Sequence, residues 1–162
     1  MSTPPSSSTI YFYAQTDAYS EFSNFAPFGV SVEDQWWRTV EHYFQAQKFH
    51  NAEYRERIRL SNKPKDAKAL GMTRKIPLRD DWEEVKDQIM LEAVRIKFKT
   101  HVDLKVLLLS TGDAQIVENA PMDSYWGCGP DGNGLNKLGE ILMHVRDELR
   151  QKESQEDADS QR

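Results

Sequence analysis

Glu41, Gln45 and Lys48 fall at i, i+4 and i+7 within residues 39–49, which read TVEHYFQAQKF. On a helix the three side chains leave from nearly one angle. Thr39 is a plausible N-cap, which puts Glu41 in the first turn, where the positive end of the helix dipole favours an ionised carboxylate. A carboxylate held charged suits steadying a developing cation or activating water better than donating a proton. The same spacing also fits a solvated helix face with a first-turn glutamate.

Cap and breaker signals outline the elements that must hold this stripe. Residues 10–13 and 29–32 read as short strands, and the stripe helix runs to about His50. Further helices are predicted over 52–60, over 64–70 with Pro64 in the first turn and Gly71 as the stop, over 82–99 and over 102–109. Residues 116–118 suggest a third strand, and a last helix opens near Asn136 with Leu138, Ile141, Leu142 and Val145 inward. The pattern predicts a mainly α fold with a few short β-strands. Residues 1–9, rich in Ser and Pro, and the charged residues 151–162 are expected to be disordered, leaving one compact domain over 10–150.

Several loops carry ligand-binding residue types. Phe22, Ser23, Asn24 and Phe25 combine rings that can stack on a flat ligand with groups that can hydrogen-bond its edge; the same loop also fits one pinned to the core by its phenylalanines. Trp36 and Trp37 cannot both bury on one face, so one is available to line a cleft. Arg74, Lys75 and Arg79 can meet phosphates, with Trp82 close by as an aromatic platform. The stretch from Asp123 through Tyr125, Trp126 and Gly127 to Asn136 places four glycines within residues 127–134, an irregular loop that opens a helix and can offer backbone N–H groups to an anion.

Bulk properties narrow the function classes. A chain of 162 residues with 38% hydrophobic and 29% charged residues has room for one core. The net charge of -5 argues against gripping nucleic acid along its backbone and leaves only local contacts around a modified base. Cys128 is the single cysteine, so neither an intramolecular disulfide nor a zinc–cysteine cluster is expected, and His42, His50, His101 and His144 lack metal-binding spacing. With no apolar run of spanning length and no signal-peptide pattern, an intracellular location is expected.

Read together, Phe22-Ser-Asn-Phe, the helix from Glu41 to Phe49, Pro77-Leu-Arg with Trp82, Tyr125-Trp126-Gly127 and Asn136-x-Leu138-Gly139 closely resemble the NADAR (YbiA-like) family over about residues 10–150. The resemblance implies N-glycosidase chemistry on ribosylated or ADP-ribosylated compounds, with Glu41 as the essential glutamate, Lys48 as the helix lysine, and no redox cofactor or metal. It implies two substrate classes, guanine bearing ADP-ribose on its amino group, which is preferred here, and N-riboside intermediates of riboflavin synthesis. A non-catalytic ADP-ribose reader is the rival of another class. Relatives often carry aspartate where this chain has Cys128, so that role would be lost, shared, or taken by Asp123 or Asp131. In such chemistry Lys48, roughly 10 Å from Glu41 along the helix axis, would serve the leaving group or the ribose, or capture a ring-opened sugar aldehyde as a Schiff base if its pKa is lowered.

Overall fold

A helix of eight residues is defined more by its ends than by propensity, and Thr39 fixes the first end of the stripe helix. In the computed structural model, which describes residues 8–14 and 16–161, Thr39 is extended and its hydroxyl accepts the His42 N–H at 3.1 Å. The elements are β1 (Thr9–Phe12), β2 (Val30–Val32), β3 (Gln35–Trp37), α1 (Val40–Gln47), α2 (Ala52–Leu60), α3 (Pro64–Gly71), α4 (Trp82–Thr100), α5 (Val102–Ser110), β4 (Gln115–Glu118) and α6 (Lys137–Ser160). The mainly helical expectation holds. The elements fall into two units, Asn24–Thr100 and the remainder.

In Asn24–Thr100, β2 and β3 form an antiparallel hairpin that pairs Val30 with Trp37. Period-2 alternation buries Trp37 at 2% exposure and leaves Trp36 52% exposed. Helix α1 packs against α2, α3 and α4, and each of its eight residues is buried. It is therefore three residues shorter than expected, and its polar stripe is not solvated. Its end tightens because Lys48 N–H turns back to Gln45 O at 3.3 Å, while Arg79 N–H takes Lys48 O at 2.8 Å. Asn51 caps α2 through the Tyr54 N–H at 2.9 Å, and the Tyr54 hydroxyl donates to Leu70 O, tying α2 to α3. Gly71 is the last residue of α3 rather than a stop beyond it.

In the other unit β1 and β4 pair in parallel, with Ile10 opposite Ile116. Arg146 of α6 is buried and its Nη1 donates to Thr111 Oγ1 at 2.9 Å and Ala114 O at 2.8 Å, holding the turn after α5. Two expectations of disorder change. Thr9 belongs to β1, while residues 1–7 lie outside the described residues. Residues 151–160 continue α6 as an exposed helix, since neither Gly nor Pro follows Gly139 and Lys105 Nζ approaches Glu153 Oε1 at 3.9 Å. Among the described residues no helix is long and apolar enough to cross a membrane.

His42 joins two elements from a fully buried position. Its Nε2–H donates to Ser61 O at 3.0 Å, which leaves Nδ1 to accept from the Thr39 hydroxyl at 2.8 Å. Burial pushes the imidazole below its ordinary value of 6.5, as does the charge of Arg38, against the Ser61 carbonyl and Asp66, which raise it. A depressed histidine contributes stability that is full above the unfolded value and is lost as pH falls, because the unfolded chain takes up the proton first. Lowering the pH from 7.5 towards about 5 should therefore lower Tm more in the wild type than in His42→Gln, with a slope of up to about 1.4 kcal/mol per pH unit. Parallel Tm–pH curves would show that His42 is not the group responsible.

Candidate functional site

Burying a carboxylate costs several kcal/mol unless fixed polar groups replace water, so the partners of Glu41 define this site. Glu41 is only 7% exposed. Gln45 Nε2 donates to Glu41 Oε1 at 2.7 Å, one helical turn on, and the Glu41 N–H reaches Asn24 O at 3.1 Å. Asn24 thus joins the stripe through its backbone. Its Nδ2 faces Met90 Sδ at 3.4 Å, and its buried Oδ1 has no hydrogen-bond partner among the described residues.

Gly71 is the node that the sequence reading missed. A Cβ there would lie 1.9 Å from Gln45 Oε1 and 2.8 Å from Gln45 Cδ, so the amide rests directly on the glycine backbone. Lys48 Nζ donates to Gly71 O at 3.4 Å. One residue without a side chain therefore seats both the glutamine that orients Glu41 and the lysine beyond it. The readable signal was a glycine at a helix end, which suggested a terminator; close approach of a second helix leaves no local pattern.

Lys48 is half-buried. Burial pushes its amine below the ordinary lysine range, and the charges of Arg74, Lys68 and Lys86 push the same way, while Glu41 opposes them. The wider set divides by role. Arg74 is exposed and folds onto Met72 O and Thr73 O at 3.2 and 3.1 Å. Arg79 is engaged by Asp81, with Nε–Oδ1 at 2.6 Å and Nη2–Oδ2 at 3.0 Å, and braces the end of α1. Trp82 is buried with its ring 5.1 Å from that of Phe44, a core position rather than an open platform. Phe25 is half-exposed, with Lys68 Nζ 5.9 Å from its ring centroid.

The remaining expected residues belong to the other unit. Phe22 is buried edge-on to Phe12 at 5.9 Å, so this ring does pin its loop, and Ser23 closes the preceding turn through its N–H to Ser20 O. Asp123 Oδ1 accepts the N–H groups of Tyr125 and Trp126 at 3.0 and 2.9 Å, and those two rings meet edge to face at 4.9 Å. Gly127 is tightly enclosed, since a Cβ would come within 2.8 Å of Ala120 Cβ. The Asn136 amide bridges Ile116 O and Glu118 N–H, both at 2.9 Å, fastening the loop to β4.

The anion-site expectation for this loop changes. The N–H groups of Leu135, Asn136, Lys137 and Leu138 are taken by the carbonyls of Ser124, Gly127, Tyr125 and Trp126. Cys128 is buried with Sγ 3.4 Å from Asn119 Oδ1. Asp131 is exposed and accepts the Asn133 N–H at 3.3 Å.

The NADAR domain model matches residues 11–150. An N-glycosidase of Nostoc punctiforme is 51% identical over 145 residues, 88% of this chain and 93% of that protein. N-glycosidase YbiA of Escherichia coli strain K12 is 48% identical over 140 residues, 86% of this chain and 88% of that protein. An NMR structure of E. coli YbiA matches with a TM-score of 0.84 at 46% identity, covering 90% of this chain and 87% of that one. A riboflavin biosynthesis protein of Zea mays, PYRR, is 39% identical over 161 residues, 90% of this chain but 26% of that protein.

The electrostatics of Lys48 can be tested without a substrate. Acylation of Lys48 followed by mass spectrometry against pH should give a midpoint below that of exposed lysines. Glu41→Gln should lower it further and Arg74→Ala should raise it. A midpoint unmoved by both variants would contradict the described balance of charges.

Proposed function

The chain belongs to the NADAR domain family, and from that premise we propose that it is an N-glycosidase whose preferred substrate is guanine carrying ADP-ribose on its amino group. The observation that carries the reading is the buried Glu41–Gln45 pair with a depressed lysine capping the end of the same helix. Hydrolysis of a ribose C1–N bond passes through a cation-like sugar. Glu41 would face C1, stabilise that cation and orient water, while Gln45 fixes the carboxylate. The water oxygen bonds to C1 as the C1–N pair leaves with the base, and the water proton ends on the amino nitrogen. ADP-ribose and intact guanine are the products. Lys48 would serve the leaving group, and Arg74 a phosphate. A pure ADP-ribose reader would gain little from a buried carboxylate near an anionic ligand.

Two further readings each have a supporting observation. The similarity to the maize riboflavin biosynthesis protein favours an N-riboside intermediate of that pathway as substrate. The lowered pKa of Lys48 favours Schiff-base capture of a ring-opened sugar; borohydride quenching during turnover would then leave a sugar adduct on Lys48, and its absence supports the plain hydrolytic role.

The deciding experiment is ADP-ribose release from a guanine-ADP-ribosylated single-stranded oligonucleotide, with a riboflavin-pathway N-riboside in parallel. Wild type should release ADP-ribose, and Glu41→Gln should lose on the order of 10²-fold or more in kcat. Cleavage of the N-riboside alone would move the substrate to metabolites, and binding of ADP-ribose without release from either would favour the reader. Gly71→Ala should lower kcat in the wild-type background but have little further effect in Gln45→Ala, the non-additivity expected of touching residues. Additive losses would mean that Gly71 acts independently of Gln45.

A further inference from the structure

Lys48 caps the C-terminal end of α1, and its amine reaches across to Gly71 O, on the last residue of α3, at 3.4 Å. That distance is at the long end of the hydrogen-bond range, so the contact does not fix the amine by itself. Both of its anchors are also weak points. Helices α1 and α3 have eight residues each, and the last carbonyls of a helix lack partners within it. A third element must hold the two helix ends at this spacing.

Helix α2 supplies that element in Tyr54. Asn51 Oδ1 accepts the Tyr54 N–H at 2.9 Å, which fixes the residue in the first turn of α2. The Tyr54 ring meets the ring of Phe49 edge to face, with centroids 4.9 Å apart and planes at 75°. Phe49 follows Lys48 in the chain and is fully buried. At its other end, the Tyr54 hydroxyl donates to Leu70 O, on the residue before Gly71. The same carbonyl takes the Thr73 N–H at 3.3 Å, so the phenol fills the second lone pair of a helix-end acceptor. One rigid side chain therefore touches the chain neighbour of Lys48 and the chain neighbour of Gly71. The path Lys48–Phe49–Tyr54–Leu70–Gly71 closes on the Lys48 amine.

We propose that Tyr54 is a positioning residue for Lys48, holding the ends of α1 and α3 at the spacing that seats the amine on Gly71 O. The use made of Lys48 rests on the proposed N-glycosidase reading, whereas its placement rests on these contacts. Without the hydroxyl, Leu70 O keeps only backbone partners, the end of α3 can draw away, and water reaches the amine. Burial is the chief cause of the depressed amine, so added water moves it back up. The charges that also act on Lys48, those of Glu41, Arg74, Lys68 and Lys86, are unchanged by loss of a neutral hydroxyl.

The test is Tyr54→Phe, which deletes the hydroxyl oxygen and keeps the ring on Phe49. Acylation of Lys48 followed by mass spectrometry against pH, with no substrate present, should show a midpoint raised towards that of exposed lysines. Turnover of the guanine-ADP-ribosylated oligonucleotide should fall roughly 10-fold in kcat with KM within about twofold, because the lysine is misplaced rather than removed. Loss of one hydrogen bond should lower Tm by about 2–4 °C. Thr111→Val, which takes one acceptor from the buried Arg146 in the other unit, is the control: it should lower Tm similarly and leave the Lys48 midpoint and kcat at wild-type values. Should Tyr54→Phe fail to fold, Phe49→Leu trims the other half of the clamp and should raise the midpoint in the same way. A midpoint left at the wild-type value, or one raised equally by Thr111→Val, would overturn the proposal whatever happens to kcat. A raised midpoint in an enzyme whose wild type cleaves neither the oligonucleotide nor the N-riboside would leave the positioning role standing and overturn the reaction reading alone.

Discussion

The contact between Gln45 and the backbone of Gly71 sets the terms for the rest of residues 24–100. Helix α1 has no exposed face, so each polar group on it must find a partner within the protein or stand ready for a ligand. Gln45 spends its Nε2 on Glu41 and presses its Oε1 onto Gly71, which requires α3 to approach more closely than any residue with a Cβ would allow. Once α3 lies there, Gly71 O meets the Lys48 amine and the Tyr54 hydroxyl reaches Leu70 O. The two candidate reactive groups are therefore referenced to one point on a neighbouring helix. That keeps their separation fixed better than their own helix could, because Lys48 sits just beyond its last turn.

Local signals were legible in the sequence because their causes are local. Thr39 before an apolar run and Pro64 at the first turn of α3 act through atoms three or four residues away. The misread features depend on distant partners. Arg79 looked like a loop cation, yet it is engaged by Asp81 and bonds to the backbone at the end of α1, thirty-one positions from Lys48. Asn136 looked like a ligand contact, and its amide instead completes the edge of β4, twenty residues back. Lys97 is only 1% exposed in the last turn of α4, a burial that a charged residue in an amphipathic pattern does not announce. The end of α6 failed for another reason: composition that permits disorder also permits an exposed helix when no residue breaks it.

The glycine-rich loop shows how one sequence pattern serves two structural purposes. Glycines near a helix start suggested an anion cradle, but the N–H groups around the start of α6 bond back to residues 124–127. Gly127 and Gly134 are small because backbone passes within 2.9 Å and 2.6 Å of where a Cβ would stand, and Gly129 adopts a φ of 73°. The loop is thus a folded brace with a buried Cys128 inside it. The thiol faces the Asn119 amide oxygen, where a carboxylate would set like partial charges against each other, so cysteine suits this packing.

The depressed amine of Lys48 ties the charge pattern to the chemistry. Burial favours its neutral form, and Arg74 and Lys68 add to that preference while Glu41 resists it. A ligand phosphate beside those cations would cancel part of their push and move the amine back towards its charged form. On the proposed reading, substrate binding would then raise the proton affinity of Lys48 just when a leaving nitrogen needs a proton. The same phosphate would gain most where cations lack carboxylate partners, as Arg74 and Lys68 do, and least at Arg79, whose charge Asp81 already balances. The position of the carboxylates in the sequence, sparse through residues 51–79 and resumed at Asp80 and Asp81, therefore decides which cations can both attract an anion and tune the lysine.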